Sequence, residues 1–361
     1  MRSQATLSAL LIACSAAPVL ADTIYTVDGD LINEVRIQED GLLEVTYKTK
    51  RSDDSIASDK VVRIEYDRTT ELVDTARTAV VEEQYGIAAE DFESYLREVG
   101  EEGDKRYSWA PAYAMWRLAE LNGLMGNPAG VVKWADRVIS DAPNSRFVPM
   151  AFLAKAQAQY DSGQADAART TIANLGELVS GKGLSKRWQL EQELHLVLFD
   201  DALKGNQRRS RLEALVATTG DFPTVSNRAY AAVGESLVAA KNFVEAKKVF
   251  QNITESPKAD GRTLAAAYSG LGECLFNEGS TGSDNAALEA AVLACMRVPV
   301  TFPEETRYVP KALFYAGRAY QMMTGEEEDL EEYALRAGKL YVAILRDYPE
   351  SAWAQQARSF R

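Results

Sequence analysis

The stretch Asn227–Thr254, NRAYAAVGESLVAAKNFVEAKKVFQNIT, limits what this chain can become more than any other segment. Tyr230, Val233, Gly234 and Leu237, then Phe243, Ala246, Val249, Phe250 and Ile253, fall at the three- and four-residue spacing that lines one helical face. Lys241-Asn242 interrupts the pattern and Pro257 closes it, so the segment predicts two short antiparallel helices. Gly234 and Ala246 mark the crossing, because two helices approach closely only where side chains are small. A single such pair leaves an apolar face bare, and only stacking against further pairs covers it.

Further pairs are legible. Pro111–Met125 with Pro128–Asp141, Phe147–Asp161 with Gln164–Leu178, and Lys186–Leu203 with Gln207–Thr218 precede the opening unit. A fifth begins near Thr263 and continues, after a predicted loop insertion at Gly279–Asn285, in Ala286–Val298. The sixth joins Val309–Met323 to Leu330–Tyr348 across the acidic interruption Thr324–Asp329, and Pro349–Arg361 reads as a closing half-unit. Small residues recur at the expected crossings, Ala119, Ala156, Gly234, Gly272 and Gly317. The third pair offers Leu198 there instead, which predicts a distorted repeat or a break between two sub-arrays. Together these features resemble the tetratricopeptide (TPR) repeat, with spacings looser than the ideal motif. Tyr341–Ser351 (YVAILRDYPES) is similar to the repeats of bacterial periplasmic and outer-membrane-assembly TPR proteins. That resemblance implies an α-solenoid engaged in protein–protein contact in the cell envelope, with no catalysis.

The front of the chain has another grammar. Residues 1–21 carry Arg2, the apolar Leu7–Ala13 and the small-residue pattern Val19-Leu20-Ala21, which reads as an export signal cleaved after Ala21. Leu11-Ile12-Ala13-Cys14 also fits a lipobox, so a lipid anchor through Cys14 is the alternative. Over residues 22–67, period-two alternation split by Asp28-Gly29 and Asp40-Gly41 predicts a small antiparallel β module of about four strands. Lys48–Lys60 reads as a loop, and the module is expected to pack on the helix that follows. Residues 68–104 form a degenerate helical hairpin and acidic connector, and 105–361 the repeats with their cap. The predicted class is therefore mainly α: a TPR-like α-solenoid of antiparallel helix pairs preceded by a small antiparallel β module.

A net charge of −13 argues against a nucleic-acid partner, since polyanion binders concentrate Lys and Arg. After the leader no apolar run is long enough for a membrane span, so an exported, otherwise soluble chain is expected, in the periplasm or another envelope location. Cys274 and Cys295 admit two readings, a disulfide or two core residues. The lone histidine, His195, sits among apolar neighbours and reads as packed rather than catalytic. No nucleophile elbow, phosphate loop or metal-ligand spacing occurs. The acidic run Glu326–Glu332 lacks the order of a calcium loop. No cofactor, metal or catalytic residue is expected; a peptidoglycan-acting helical enzyme and a self-assembling structural protein are the rival classes.

In TPR proteins the first helix of each pair lines the concave wall. Mapped onto this sequence, that wall carries Tyr113, Trp116 and Glu120; Leu153, Gln157 and Tyr160; Arg228 and Glu235; Glu273 and Phe276; and Lys311, Phe314 and Arg318. Aromatic anchors inside a mixed-charge rim suit a protein or peptide partner.

Overall fold

The computed structural model describes residues 21–100 and 103–360. The leader reading, Cys14 included, lies outside them, as do Glu101, Glu102 and Arg361. Five strands come first: β1 Asp22–Thr26, β2 Leu31–Asp40, β3 Glu44–Lys48, β4 Asp53–Ala57 and β5 Val61–Glu65. They form one antiparallel sheet in the order β4-β3-β2-β1-β5. Period-two alternation puts Ile24, Val35, Ile37, Val45, Tyr47 and Ile64 in the core. β4 corrects the predicted loop at Lys48–Lys60. β4 is an edge strand whose side chains, Ile56 apart, are exposed. Its backbone ladder to β3 defines it, from Lys48 opposite Asp53 to Glu44 opposite Ala57, and that ladder leaves no hydrophobic signature in the sequence.

Fifteen helices follow among the described residues, the first eight being α1 Glu71–Val81, α2 Tyr85–Val99, α3 Ala110–Leu124, α4 Pro128–Asp141, α5 Val148–Asp161, α6 Ala165–Lys182, α7 Lys186–Leu198 and α8 Gly205–Thr218. The second half comprises α9 Pro223–Ala239, α10 Phe243–Thr254, α11 Gly261–Gly282, α12 Asn285–Thr301, α13 Val309–Met322, α14 Glu327–Asp347 and α15 Ala352–Ala357. Each helix packs mainly on its sequence neighbours, and the first helices of successive pairs also touch (α3 with α5, α7 with α9, α9 with α11, α11 with α13). The array is a TPR-like α-solenoid.

The crossings fall where small residues allow them. A Cβ on Gly234 would lie 2.6 Å from Phe250 Cε1, and the tip of the same ring also rests against Gly270. Phe250 of α10 is thus held in a slot between α9 and α11. Gly317 of α13 admits Tyr341 of α14, where an added Cβ would stand 2.7 Å from the ring. Gly272 of α11 gives its space to Cys295 Sγ of α12. Between the helices of the opening unit, Lys241 takes the left-handed φ of +59° that turns the chain.

Two boundaries differ from the sequence reading. The predicted insertion at Gly279–Asn285 is mostly helix, because Gly279 is a point of close approach to Leu288 and not a breaker. The acidic interruption before Leu330 is largely the first turn of α14: Glu326 and Asp329 form a reciprocal capping box, and carboxylates there meet the positive end of the helix. The third pair is irregular. α7 stops at Leu198, which is half-buried, and the fully buried Phe199 fills the space with Ala156, Ala168 and Ile172. One apolar core runs from the sheet to α5 and another from α7 to α12, with only small clusters between.

The sheet is bound to more than the helix after it. Tyr66 stacks on Trp109 with ring centroids 3.4 Å apart, and its hydroxyl donates to Asp40 Oδ2 at 2.7 Å. Asp40 Oδ1 in turn meets Arg146 Nε at 2.5 Å, with both side chains buried. Burial pushes the Asp40 carboxyl up, and the Arg146 guanidinium opposes that rise. A backbone bond from the β2–β3 turn to the α4–α5 loop (Leu42 N to Asn144 O, 2.6 Å) and a side-chain bond from Arg187 Nη1 to the Asp59 carbonyl (2.7 Å) extend the junction to α7.

Candidate functional site

Of the thirteen wall positions, Leu153 packs against the core cluster of Ala156, Ala168, Ile172 and Phe199, and the other twelve separate into two groups. Tyr113, Trp116 and Glu120 of α3 line a groove of about 700 Å³ bounded by β5, α1 and α5. Trp116 and Glu120, with Arg117 between them, also wall a second space of about 690 Å³ that runs past Gln157 and Asp161 of α5 to the loop before α13. The shared residues make these one groove along α3. Trp116 stacks on Phe147 at 6.0 Å with planes 12° apart, which fixes its indole while leaving it half-exposed. Tyr113 is held more firmly, edge-on to Tyr66, Trp109 and Phe92. Glu120 accepts from Arg117 at 2.7 Å, so its charge is already matched.

The groove is bridged at its far end. Arg262, in the first turn of α11, donates to Gln157 Oε1 at 3.1 Å, and Arg307, two residues before α13, stands 3.7 Å from Asp161 Oδ1. These contacts join the second helix pair to the fifth and sixth. Beneath the bridge lies a cavity of about 120 Å³, whose lining includes Tyr160, His195, Arg228 and Glu235. Arg228 is bound to Glu191 Oε1 and Asp260 Oδ2, each at 2.7 Å. His195 Nδ1 donates to Glu191 O at 2.8 Å, and burial pulls the imidazole down to about 4, so the ring is neutral at ordinary pH. Its role is packing and one hydrogen bond.

The other five candidates occupy each other. Glu273 takes Lys311 Nζ at 2.8 Å and the Tyr315 hydroxyl at 2.6 Å. Arg318 lies over the Phe360 ring at 4.2 Å and the Phe276 ring at 5.7 Å. Phe314 is a correction: it is 5% exposed, enclosed by Trp353, Tyr341 and Phe360, and belongs to the core under the C-terminal cap. A chain end must seal the apolar side of the last pair, and α15 does so over the wall position that Phe314 would otherwise present.

Cys274 and Cys295 are both free and buried, in the packed rather than the bridged arrangement, and burial pushes both thiols up to about 12. Among the described residues no cluster of His, Cys, Asp and Glu could hold a metal, and no helix is long and apolar enough to cross a membrane.

Arg262, Arg307 and Asp161 were missed because they lie at helix ends, outside the small-residue register used to find the wall. One signal was present. Ser145-Arg146-Phe147-Val148-Pro149 and Thr306-Arg307-Tyr308-Val309-Pro310 are variants of one pattern opening α5 and α13. In the first the arginine is buried against Asp40; in the second it reaches the groove.

No family model and no curated protein match this sequence. Among solved structures the chain is similar to an assembly chaperone of RpL4 (Acl4), at 16% identity over 69% of this chain and 94% of that one, TM-score 0.38. It is also similar to the TPR domain of P58(IPK), at 13% identity over 80% of this chain and 78% of that one, TM-score 0.28. The TPR-like architecture stands on the helix pairs themselves.

Proposed function

We propose that this protein is an exported, non-catalytic scaffold of the cell envelope that holds a segment of a partner protein in the groove along α3 and α5. The observation that carries the reading is the half-exposed, rigidly stacked indole of Trp116, shared by the two open spaces and flanked by the Arg117–Glu120 pair and Gln157. An immobilised aromatic with polar neighbours is the usual anchor of a protein contact. The chemistry of the titratable groups agrees: the imidazole is neutral and the thiols are held protonated, so neither offers a ready base or nucleophile. Export rests on the leader pattern in residues 1–21.

The test is photo-crosslinking in intact cells from a benzoylphenylalanine at Gln157, followed by affinity measurement with the trapped partner. Trp116→Ala is expected to weaken binding by about 2 kcal/mol, roughly thirtyfold, as for a central aromatic anchor. Val244→Ser, exposed on α10, is the control and should bind as wild type. Equal affinity of the Trp116→Ala and wild-type proteins would reject the groove.

A further inference from the structure

The two edges of the sheet are built differently. In the order β4-β3-β2-β1-β5 the outer strands are β4 and β5. β4 carries Asp53 and Asp54, charges of the kind that keep a further strand away. β5 also carries two charges, but they answer each other. Arg63 Nη1 meets Glu65 Oε1 at 2.5 Å, and its guanidinium lies 3.6 Å over the Tyr25 ring. Successive strand residues point to opposite faces. A space that touches all of Val62, Arg63, Ile64 and Glu65 therefore runs along the edge of β5 and not over one face. That space is the part of the α3 groove of about 700 Å³, and α1 and α3 supply most of its remaining lining.

The backbone of this edge is unclaimed. Thr26 N donates to Asp30 O, on the β2 side, at 3.0 Å, and Val27 N donates to Lys60 O, at the entry to β5, at 2.9 Å. Alternation then turns Thr23 and Tyr25 towards β5, where they stand opposite Glu65 and Arg63. Ile64, between those two, points its own N–H and C=O outward. Tyr66, of the same parity, shows the direction: its carbonyl accepts from Arg77 Nη1, on a groove residue, at 2.8 Å. Among the described residues no hydrogen bond reaches the outward groups of Ile64 from a turn, loop or side chain.

Charge narrows the occupant. Each arginine on this lining has its carboxylate: Arg63 with Glu65, Arg77 with Asp74 at 3.6 Å, Arg117 with Glu120, and Arg146 with Asp40. No net charge is left to select an acidic or a basic segment. Apolar surface is on offer instead, since Val62 and Val81 are 58% and 83% exposed and share the lining with Trp116.

We infer that an uncharged, β-prone segment of the partner chain enters this groove in extended form and adds a strand to β5, with the Ile64 backbone as its central anchor. The inference rests on the groove reading above and specifies how its occupant is held. Main-chain bonds supply affinity in this mode, and alternate side chains lying on Val62 and the indole supply choice. The five residues of β5 span about 17 Å, so a segment of about the same length pairs with it.

The probe is the capped peptide acetyl-Thr-Val-Thr-Val-Thr-Val-amide, added to the deuterated, nitrogen-15-labelled full chain, with amide hydrogen exchange followed by NMR. In the free chain the Ile64 amide should exchange fast and the Arg63 amide slowly. The peptide should slow Ile64 saturably and leave Arg63 as it was. The fully N-methylated peptide keeps the side chains but has no backbone donor, and it should give no protection. Val62→Asp, which copies the guard on β4, should weaken binding severalfold. Absence of saturable protection, equal protection by the methylated peptide, or an unchanged midpoint for Val62→Asp overturns the assignment. Tighter binding when Lys or Glu replaces the threonines overturns it too. So does Ile64 protection in the free chain that vanishes on dilution, which would give the edge to a second copy. Failure of this strand addition leaves the partner affinity lost in Trp116→Ala untouched, whereas failure of the groove reading leaves the Ile64 protection standing. Should Val62→Asp misfold by far-UV circular dichroism, the comparison of the two peptides decides.

Discussion

Replacing Gly234 by alanine adds one methyl group at a position where the structure has no room for it. The new Cβ would lie 2.6 Å from Phe250 Cε1 and 2.7 Å from Cζ, well inside van der Waals contact. The ring has little room to retreat, since Gly270 of α11 also closes on its Cζ end and Phe250 is fully buried. Overpacking of a tight core costs about 1–3 kcal/mol, and a ring whose tip is confined by two helices belongs near the upper end. Alanine is also a better helix former than glycine by about 1 kcal/mol. The net expectation is a loss of about 2 kcal/mol, read as a lowered midpoint in urea denaturation followed by circular dichroism. Phe250→Leu removes the obstacle, so the double variant should be less destabilised than the sum of the singles, with a coupling of about 1 kcal/mol or more. An unchanged or raised midpoint for Gly234→Ala, or strict additivity with Phe250→Leu, would refute the close crossing of α9, α10 and α11.

Other expectations concern charge and chemistry. Arg146→Met leaves Asp40 buried without its cation and should cost about 3–5 kcal/mol, with hydrogen exchange accelerating first in β1, β2 and β5; uniform protection would deny that the ion pair ties sheet to helices. His195 is pulled from its ordinary 6.5 to about 4, so the unfolded chain takes up its proton first as pH falls. The neutral ring therefore favours the fold fully above about 6.5, and that contribution, about 3 kcal/mol at most, is lost as pH drops toward 4. Glu191, Arg228 and Arg262 all act on this ring, so wild type must be compared with His195→Gln; identical pH profiles between 6.5 and 4 would contradict the burial. Finally, Cys274 and Cys295 should resist a thiol reagent at neutral pH until urea unfolds the chain, and rapid labelling of native protein would show the core open.

The sequence was most informative wherever packing leaves a periodic trace. Gly234, Gly272 and Gly317 were identifiable as crossing points because an apolar helical face interrupted by glycine has few other uses, and each does receive a partner side chain. Val309–Met323 and Pro128–Asp141 match helices α13 and α4 within a residue because proline fixes their starts. β4 was hidden because an exposed edge strand is specified by backbone pairing alone. The concave wall was half legible. Register finds which side of a helix faces inward, so Trp116, Glu120 and Gln157 came out together. Register does not say what else reaches that side, and so α15 covering Phe314, and Arg262 and Arg307 arriving from helix ends, were invisible.

The contacts of Arg262 with Gln157 and of Arg307 with Asp161 bear on how a molecule like this can change over generations. An open stack can gain or lose a unit by duplication at little cost, since each module meets only the next. Here an extra pair inserted between α5 and α11 would carry those arginines out of reach of their partners. Those two contacts therefore hold only for the present number of modules in that span.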